Sequence, residues 1–166
     1  MTKFVCGLLA ALMVAGGMIG VVKAELAGSQ APDFVLKADN GKNYRLSEFR
    51  GQVVLVAFWA SWCGECRTQL ERLTSLHERY AGSDLEMLAV SLDRDREDVA
   101  DAARAVGLTF PALHDDGGAV GELYDINKLP FVVLVDQSGT VQAEIEGYRN
   151  GDEEQYMNWV RELVAN

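Results

Sequence analysis

Positive charge is scarce in this sequence: 15 Lys and Arg face 25 Asp and Glu, for a formal net charge of −10 at pH 7. A nucleic-acid partner would need basic surface to neutralise phosphates, so none is expected. An acidic domain is also kept away from anionic lipid headgroups. Histidine is nearly absent, with only His77 and His114, and cysteine is scarce, with three in 166 residues. Yet 49% of the chain is apolar, and a chain of this length buries about two-thirds of its unfolded surface. No covalent staple is needed, so the cysteines call for a chemical reason. With no internal repeat, low-complexity tract or interdomain linker, one domain is expected.

Acids are missing altogether from residues 1–24, whose only charged side chains are Lys3 and Lys23. Phe4 to Val22 is a run of 19 uncharged residues, and Val22 and Ala24 put small residues at −3 and −1 of a cut before Glu25. This reads as an export signal or an N-terminal membrane anchor. A signal core is about 7–15 residues, whereas about 18 or more can span a bilayer. Gly16, Gly17 and Gly20 weaken a long helix and favour the cleaved signal. In both readings the domain, 25–166, faces outward, periplasmic in a cell with two membranes. It meets the membrane only if residues 4–22 stay as an anchor. Without residues 1–24 the net charge becomes −12. Cys6 lies within this segment, at the start of the apolar run rather than beside the cut, which makes it a poor lipidation site.

Export leaves Cys63 and Cys66 as an even pair in an oxidising compartment. Closing so small a loop contributes little to the stability of a domain this size. The pair is therefore there for reactivity. A closed zinc site needs four ligands, and the two histidines cannot complete one at finger-like spacing. Haem attachment needs His directly after the second cysteine, where Arg67 stands.

The chain reads as alternating strands and helices. Phe34 to Ala38 and Tyr44 to Leu46 flank Asn40-Gly41, a strong hairpin signal, and Ser47 is placed to cap a short helical turn toward Arg50. Val53 to Trp59 is a nearly continuous β-branched and aromatic run, as in a strand buried on both faces. Leu70, Leu73, Leu76 and Tyr80 recur at helical spacing from Glu65, with Gly82 ending the helix. Leu85 to Leu92 is a second buried strand. Asp93 or Asp95 caps a helix through Val106, and Ala119 to Tyr124 is a short helix. Phe131 to Val135 and Val141 to Ile145 form a second hairpin, and Asp152 opens a closing helix carrying Tyr156, Trp159, Val160 and Leu163. The expected class is α/β, a central mixed sheet flanked by helices, with an N-terminal β-hairpin.

Cys63 falls where the first central strand meets its helix. Unpaired N–H groups and the positive end of the helix dipole there favour a thiolate, the form that attacks a disulfide. Cys66, one turn along, is placed to displace a partner linked to Cys63, converting a mixed disulfide into the internal Cys63–Cys66 bridge.

Phe58-Trp59-Ala60-Ser61-Trp62-Cys63-Gly64-Glu65-Cys66-Arg67 resembles the active-site segment of the thioredoxin superfamily. The exported N-terminus, the leading hairpin and the Leu85 to Tyr124 excursion are similar to its TlpA/ResA-type branch. The resemblance covers roughly residues 30 to 164. It implies a thiol-disulfide oxidoreductase with no cofactor or metal, Cys63 attacking and Cys66 resolving. It also implies that Leu129 and Pro130 match the family's cis-proline, which with Trp62 docks an extended substrate segment. Implied partners are proteins with disulfides or thiols and a membrane thiol-disulfide electron donor. Apocytochrome c thiols, as in cytochrome c maturation, other envelope proteins or copper-site assembly clients are candidates. The chain is expected to be a monomer.

Two departures stand out. Most of the family has Pro as the second inter-cysteine residue, whereas Gly64 here is followed by Glu65. A carboxylate in the first helical turn opposes ionisation of Cys63 and offsets the dipole, so a reductase-like couple is expected. The carboxylates often buried behind such sites are also missing, with Ala57 and Gln69 at the matching positions. Proton transfer to Cys66 must then use Glu65, water or another group.

Other readings are a redox-inert binding module with a locked pair, and a peroxiredoxin-type peroxidase. The latter by resemblance wants Thr or Ser where Ala60 stands. Trp59 is expected in the core, turned away from the Cys63 surface by strand alternation; Trp159 also reads as core. His77 and His114 read as surface residues. The Asp93 to Asp98 run lacks the glycine and distal glutamate of a calcium loop and reads as a solvated helix start.

Overall fold

The computed structural model describes residues 26–165, so the 1–24 segment, Glu25 and Asn166 lie outside the described residues. The central strand β3 (Val53–Trp59) is buried along its whole length. It pairs parallel with β4 (Leu85–Ser91) and antiparallel with β6 (Phe131–Val135). β7 (Val141–Glu146) follows β6 as a hairpin. On the other flank stand β5 (Ala112–His114), β1 (Val35–Ala38) and β2 (Asn43–Arg45), giving one seven-stranded sheet of order β2-β1-β5-β4-β3-β6-β7.

Strand alternation divides the core into two layers. Val53, Leu55, Ala57 and Trp59 face one side, with Cys66, Leu70, Leu73 and Leu76 of α1 (Gly64–Arg79). Val99 and Ala103 of α2 (Arg96–Ala105) and Tyr156, Met157 and Val160 of α4 (Asp152–Val164) complete that layer. Val54, Val56 and Phe58 face the other side, with Phe34, Leu46, Tyr124 and Val120 of α3 (Ala119–Leu123). Each of these large apolar side chains contributes about 1.5–3 kcal/mol by leaving water.

Two local expectations are corrected. Ser47 does not cap the short 3₁₀ turn Leu46–Phe49; it lies within it. Asp33 serves there instead, accepting the Ser47 N–H at 2.9 Å and the Ser47 hydroxyl at 3.0 Å. Burial would raise the Asp33 pKa, but these bonds and Arg45 hold it below the ordinary value. Strand β5, unanticipated, pairs parallel with β4 and antiparallel with β1. It welds the N-terminal hairpin into the main sheet.

Candidate active site

The site forms where the carboxyl end of β3 runs into the amino end of α1, through a turn closed by a bond from the Cys63 N–H to the Ala60 carbonyl at 3.1 Å. Cys63 is the N-cap of α1, in extended conformation, and its Sγ accepts the Cys66 N–H at 3.1 Å. Cap chemistry usually supplied by Ser, Thr, Asp or Asn is here supplied by sulfur. Gly64 and Glu65 occupy the first turn, both exposed. The Cys63 and Cys66 sulfurs are joined at 2.08 Å. The two are unequally placed: Cys63 is half-buried and packs on the edge of the α1 layer, whereas Cys66 is 0% exposed within it.

Cys63 opens onto a groove of about 570 Å³. Trp62, 73% exposed, stands on one side with Gly64 and Glu65. Leu92 and the run Ile126, Asn127, Lys128 and Leu129 line the remainder. The Leu129–Pro130 peptide is cis. The structure thus brings Trp62, Cys63, Gly64, Glu65 and Leu129 together around one opening, with Pro130 next in the chain.

Behind the opening the polar groups differ from expectation. Gln69 is fully buried; its amide Nε2 donates to the Tyr156 hydroxyl at 3.3 Å, and its Oε1 has no partner among the described residues. Burial pushes the Tyr156 pKa up to about 12, so that hydroxyl stays protonated. Trp59 is core, as expected, but it is not turned away from the cysteines: it shares the α1 layer with Cys66, on which Cys63 also packs, and its Nε1 has no partner among the described residues. Position 59 falls on the same strand face as Val53, Leu55 and Ala57, the face that α1 covers. Trp159 is half-buried at the rim of this layer, with its ring stacked on Tyr156.

Of the two histidines read as surface groups, one is inside and the other is partly covered. His114 is buried, its Nε2–H donating to the Asp93 carbonyl at 2.9 Å, because β5 carries it into the sheet. His77 is half-buried; its Nδ1 lies 2.9 Å from the Thr109 hydroxyl and its ring rests against Phe110. Asp93 is not part of a solvated helix start: it is buried, accepting bonds from Ser61 and Ser91. Asp95 is the residue at the α2 N-cap position, without a side-chain cap bond. A carboxylate does therefore lie inside beside the active-site turn, and sequence reasoning missed it. The available signal was Ser91-x-Asp93 at the end of a buried strand, where a short polar side chain still faces inward.

Comparison with known proteins gives a consistent picture. The model of the AhpC/TSA family matches residues 27–144. Thiol-disulfide oxidoreductase ResA of Geobacillus thermodenitrificans is 36% identical over 124 residues, covering 75% of this chain and 71% of that protein. ResA of Bacillus thuringiensis subsp. konkukian is 31% identical over 155 residues, covering 92% and 88%. Among solved structures, one named as a thiol:disulfide interchange protein DsbE from Chlorobium tepidum superposes with a TM-score of 0.79 at 30% identity. It covers 83% of this chain and 97% of its own.

Proposed function

The chain belongs to the AhpC/TSA family of thioredoxin-fold proteins and is a thiol-disulfide oxidoreductase, and from that premise we propose that it works outside the cytoplasm as a reductase of protein disulfides. The observation that carries this reading is the asymmetry of the pair: one sulfur borders an open groove, and the other is sealed one helical turn behind it. An incoming disulfide meets only Cys63.

In the reduced state the Cys63 thiolate attacks one sulfur of the substrate disulfide. A Cys63–substrate S–S bond forms, the substrate S–S bond breaks, and the departing thiolate takes a proton. Cys66, deprotonated, then attacks the Cys63 sulfur and releases the second substrate thiolate, leaving the Cys63–Cys66 disulfide. Two electrons pass from the dithiol to the substrate, and an external dithiol must return them. A membrane thiol-disulfide protein is the fitting donor for an exported domain. The helix N-terminus supports the Cys63 thiolate, while Glu65 in the first turn opposes it and biases the couple toward reduction. Trp62, Leu129 and Pro130 dock an extended segment of the substrate, and Gly64 with Glu65, the two residues between the cysteines, tunes the couple. Residues 1–24 serve as the export signal, or as an anchor if residues 4–22 are retained. Apocytochrome c and other envelope proteins are the clientele to test.

Insulin reduction with a thiol donor tests the reading directly. The parent protein should turn over, Cys63→Ser should be inert, and Cys66→Ala should accumulate a mixed disulfide through Cys63. Mass spectrometry of the trapped species from an envelope extract identifies the substrate. A parent protein that does not reduce insulin, with a pair that resists thiol donors, would instead mark a redox-inert binding module.

A further inference from the structure

The turn that presents Cys63 has little support of its own. Among the described residues, Ala60 to Cys63 closes on a single backbone bond, yet it carries Trp62 with 73% of its surface in solvent. A short turn with one internal bond and a large exposed ring is expected to open easily unless something outside it holds it. Asp93 does so from 32 residues away in sequence. It is only 4% exposed. One carboxylate oxygen accepts the Ser61 N–H at 2.8 Å and the Ser91 hydroxyl at 2.7 Å, and the other accepts the Ser61 hydroxyl at 2.8 Å. Two bonds from one serine to two oxygens of one carboxylate fix orientation as well as distance. The carboxylate is held in turn: the Asp93 N–H donates to the Ser91 Oγ at 3.1 Å, and the Asp93 carbonyl accepts from His114. The adjoining Leu92 N–H donates to the Trp59 carbonyl at 2.9 Å, tying the ends of β4 and β3 together.

We propose that Asp93 and Ser61 are positioning residues, a strut from the end of β4 that holds the 60–63 turn so that Trp62 and Cys63 face Ile126 and Leu129 across the groove. The inference rests on Cys63 as the attacking sulfur and adds a determinant of substrate class. A protein disulfide must meet both walls of the groove and the sulfur together, so its reaction depends on their fixed separation. A small disulfide needs only the sulfur. The strut therefore biases the enzyme toward polypeptide substrates.

The test compares Ser61→Ala, which removes one of the two bonds, with Ser61→Thr, which keeps the hydroxyl on a half-buried side chain. Both are assayed on insulin and on the small disulfide DTNB, with amide hydrogen exchange measured across residues 60–63. The expected result is a fall of about 5–10-fold in kcat/KM on insulin for Ser61→Ala. The loss on DTNB should be at least about threefold smaller, and Ser61→Thr should restore insulin reduction to within about twofold. Equal losses on both substrates, no loss on insulin, or a threonine variant as poor as the alanine would overturn the strut. A parent inactive on insulin would sink the oxidoreductase reading instead. The strut would then be judged by exchange alone: faster exchange at 60–63 in Ser61→Ala supports it, and unchanged exchange overturns it.

Discussion

The two layers on either side of the sheet differ in how they treat buried polar atoms. On the α3 side the packing is aromatic and its polar groups are paired. Phe58 meets Tyr124 and Phe131, and Tyr124 meets Phe34. The Tyr124 hydroxyl donates to the Pro32 carbonyl at 2.7 Å, and Asp115 accepts the Val120 and Gly121 N–H groups. On the α1 side, Trp59 Nε1, Gln69 Oε1 and Thr74 Oγ1 are buried without partners among the described residues. An unpaired buried polar atom costs about 1–3 kcal/mol. All three lie on α1 or on the strand that leads into it, the same stretch that carries the cysteines. The chemistry thus sits on a layer that tolerates imperfect pairing, while the α3 side keeps its polar groups satisfied.

Substitutions that separate the two layers should break or sharpen this contrast. The largest effect on activity is expected from Cys63→Ser, which should reduce insulin turnover to the uncatalysed background while the cooperative thermal transition persists. Loss of the fold would show that the pair has a structural role. The largest effect on stability belongs to the other layer. Leu88→Ala, at a fully buried position there, should cost about 2–5 kcal/mol in urea unfolding. Its activity per folded molecule should remain within about twofold of the parent, and a large loss of specific activity would erase the division of labour.

Smaller effects test the α1 layer itself. Thr74→Val removes a buried hydroxyl that has no partner among the described residues and should stabilise the protein by about 1 kcal/mol, measured as a shift of the urea midpoint at constant slope. Destabilisation would mean that the hydroxyl has a partner in solution. Glu65→Pro places proline in the first helical turn, where it is tolerated, and removes the carboxylate. The couple should become more oxidising by about 6–20 mV, from a charge–dipole contribution of about 0.3–1 kcal/mol. A glutathione redox titration reads the sign. The smallest expected effect lies at Asp136 in the β6–β7 turn. Burial would raise its pKa above 3.8, but bonds from Ser138, Thr140 and Gln142 outweigh this and hold it lower. Its stabilisation is therefore present above the ordinary carboxylate range and is lost as pH falls through the folded-state value. Asp136→Asn should flatten the acid limb of the Tm–pH curve, and an unchanged limb would show that other carboxylates govern it.

Much of this was legible in the sequence where local pattern and tertiary role coincide. Val53–Trp59 reads as a strand because a strand covered on both faces needs an unbroken apolar run, and α1 because four apolar residues recur at its period. The cysteine pair at the strand–helix junction was legible for the same reason. Strand β5 was not: three residues between Pro111 and Asp115 carry no periodicity, and only the edges of β4 and β1 make them a strand. Asp93 and His114 were misread because their partners are distant in sequence. Asp93 opens a charged run that looks solvated, and nothing local announces that Ser61 will donate to it. Ser47 was misassigned for the converse reason, since a residue with good cap chemistry was preempted by Asp33.

The central claim is that two chemically identical cysteines have been made unequal, one open to a substrate and one sealed behind it. Iodoacetamide labelling of the dithiothreitol-reduced protein near neutral pH, located by peptide mass spectrometry, measures that inequality. Rapid modification of Cys63, with Cys66 at least about tenfold slower, is the predicted result. Equal labelling, preferential labelling of Cys66, or a bridge that survives excess dithiothreitol in the native state would contradict the account.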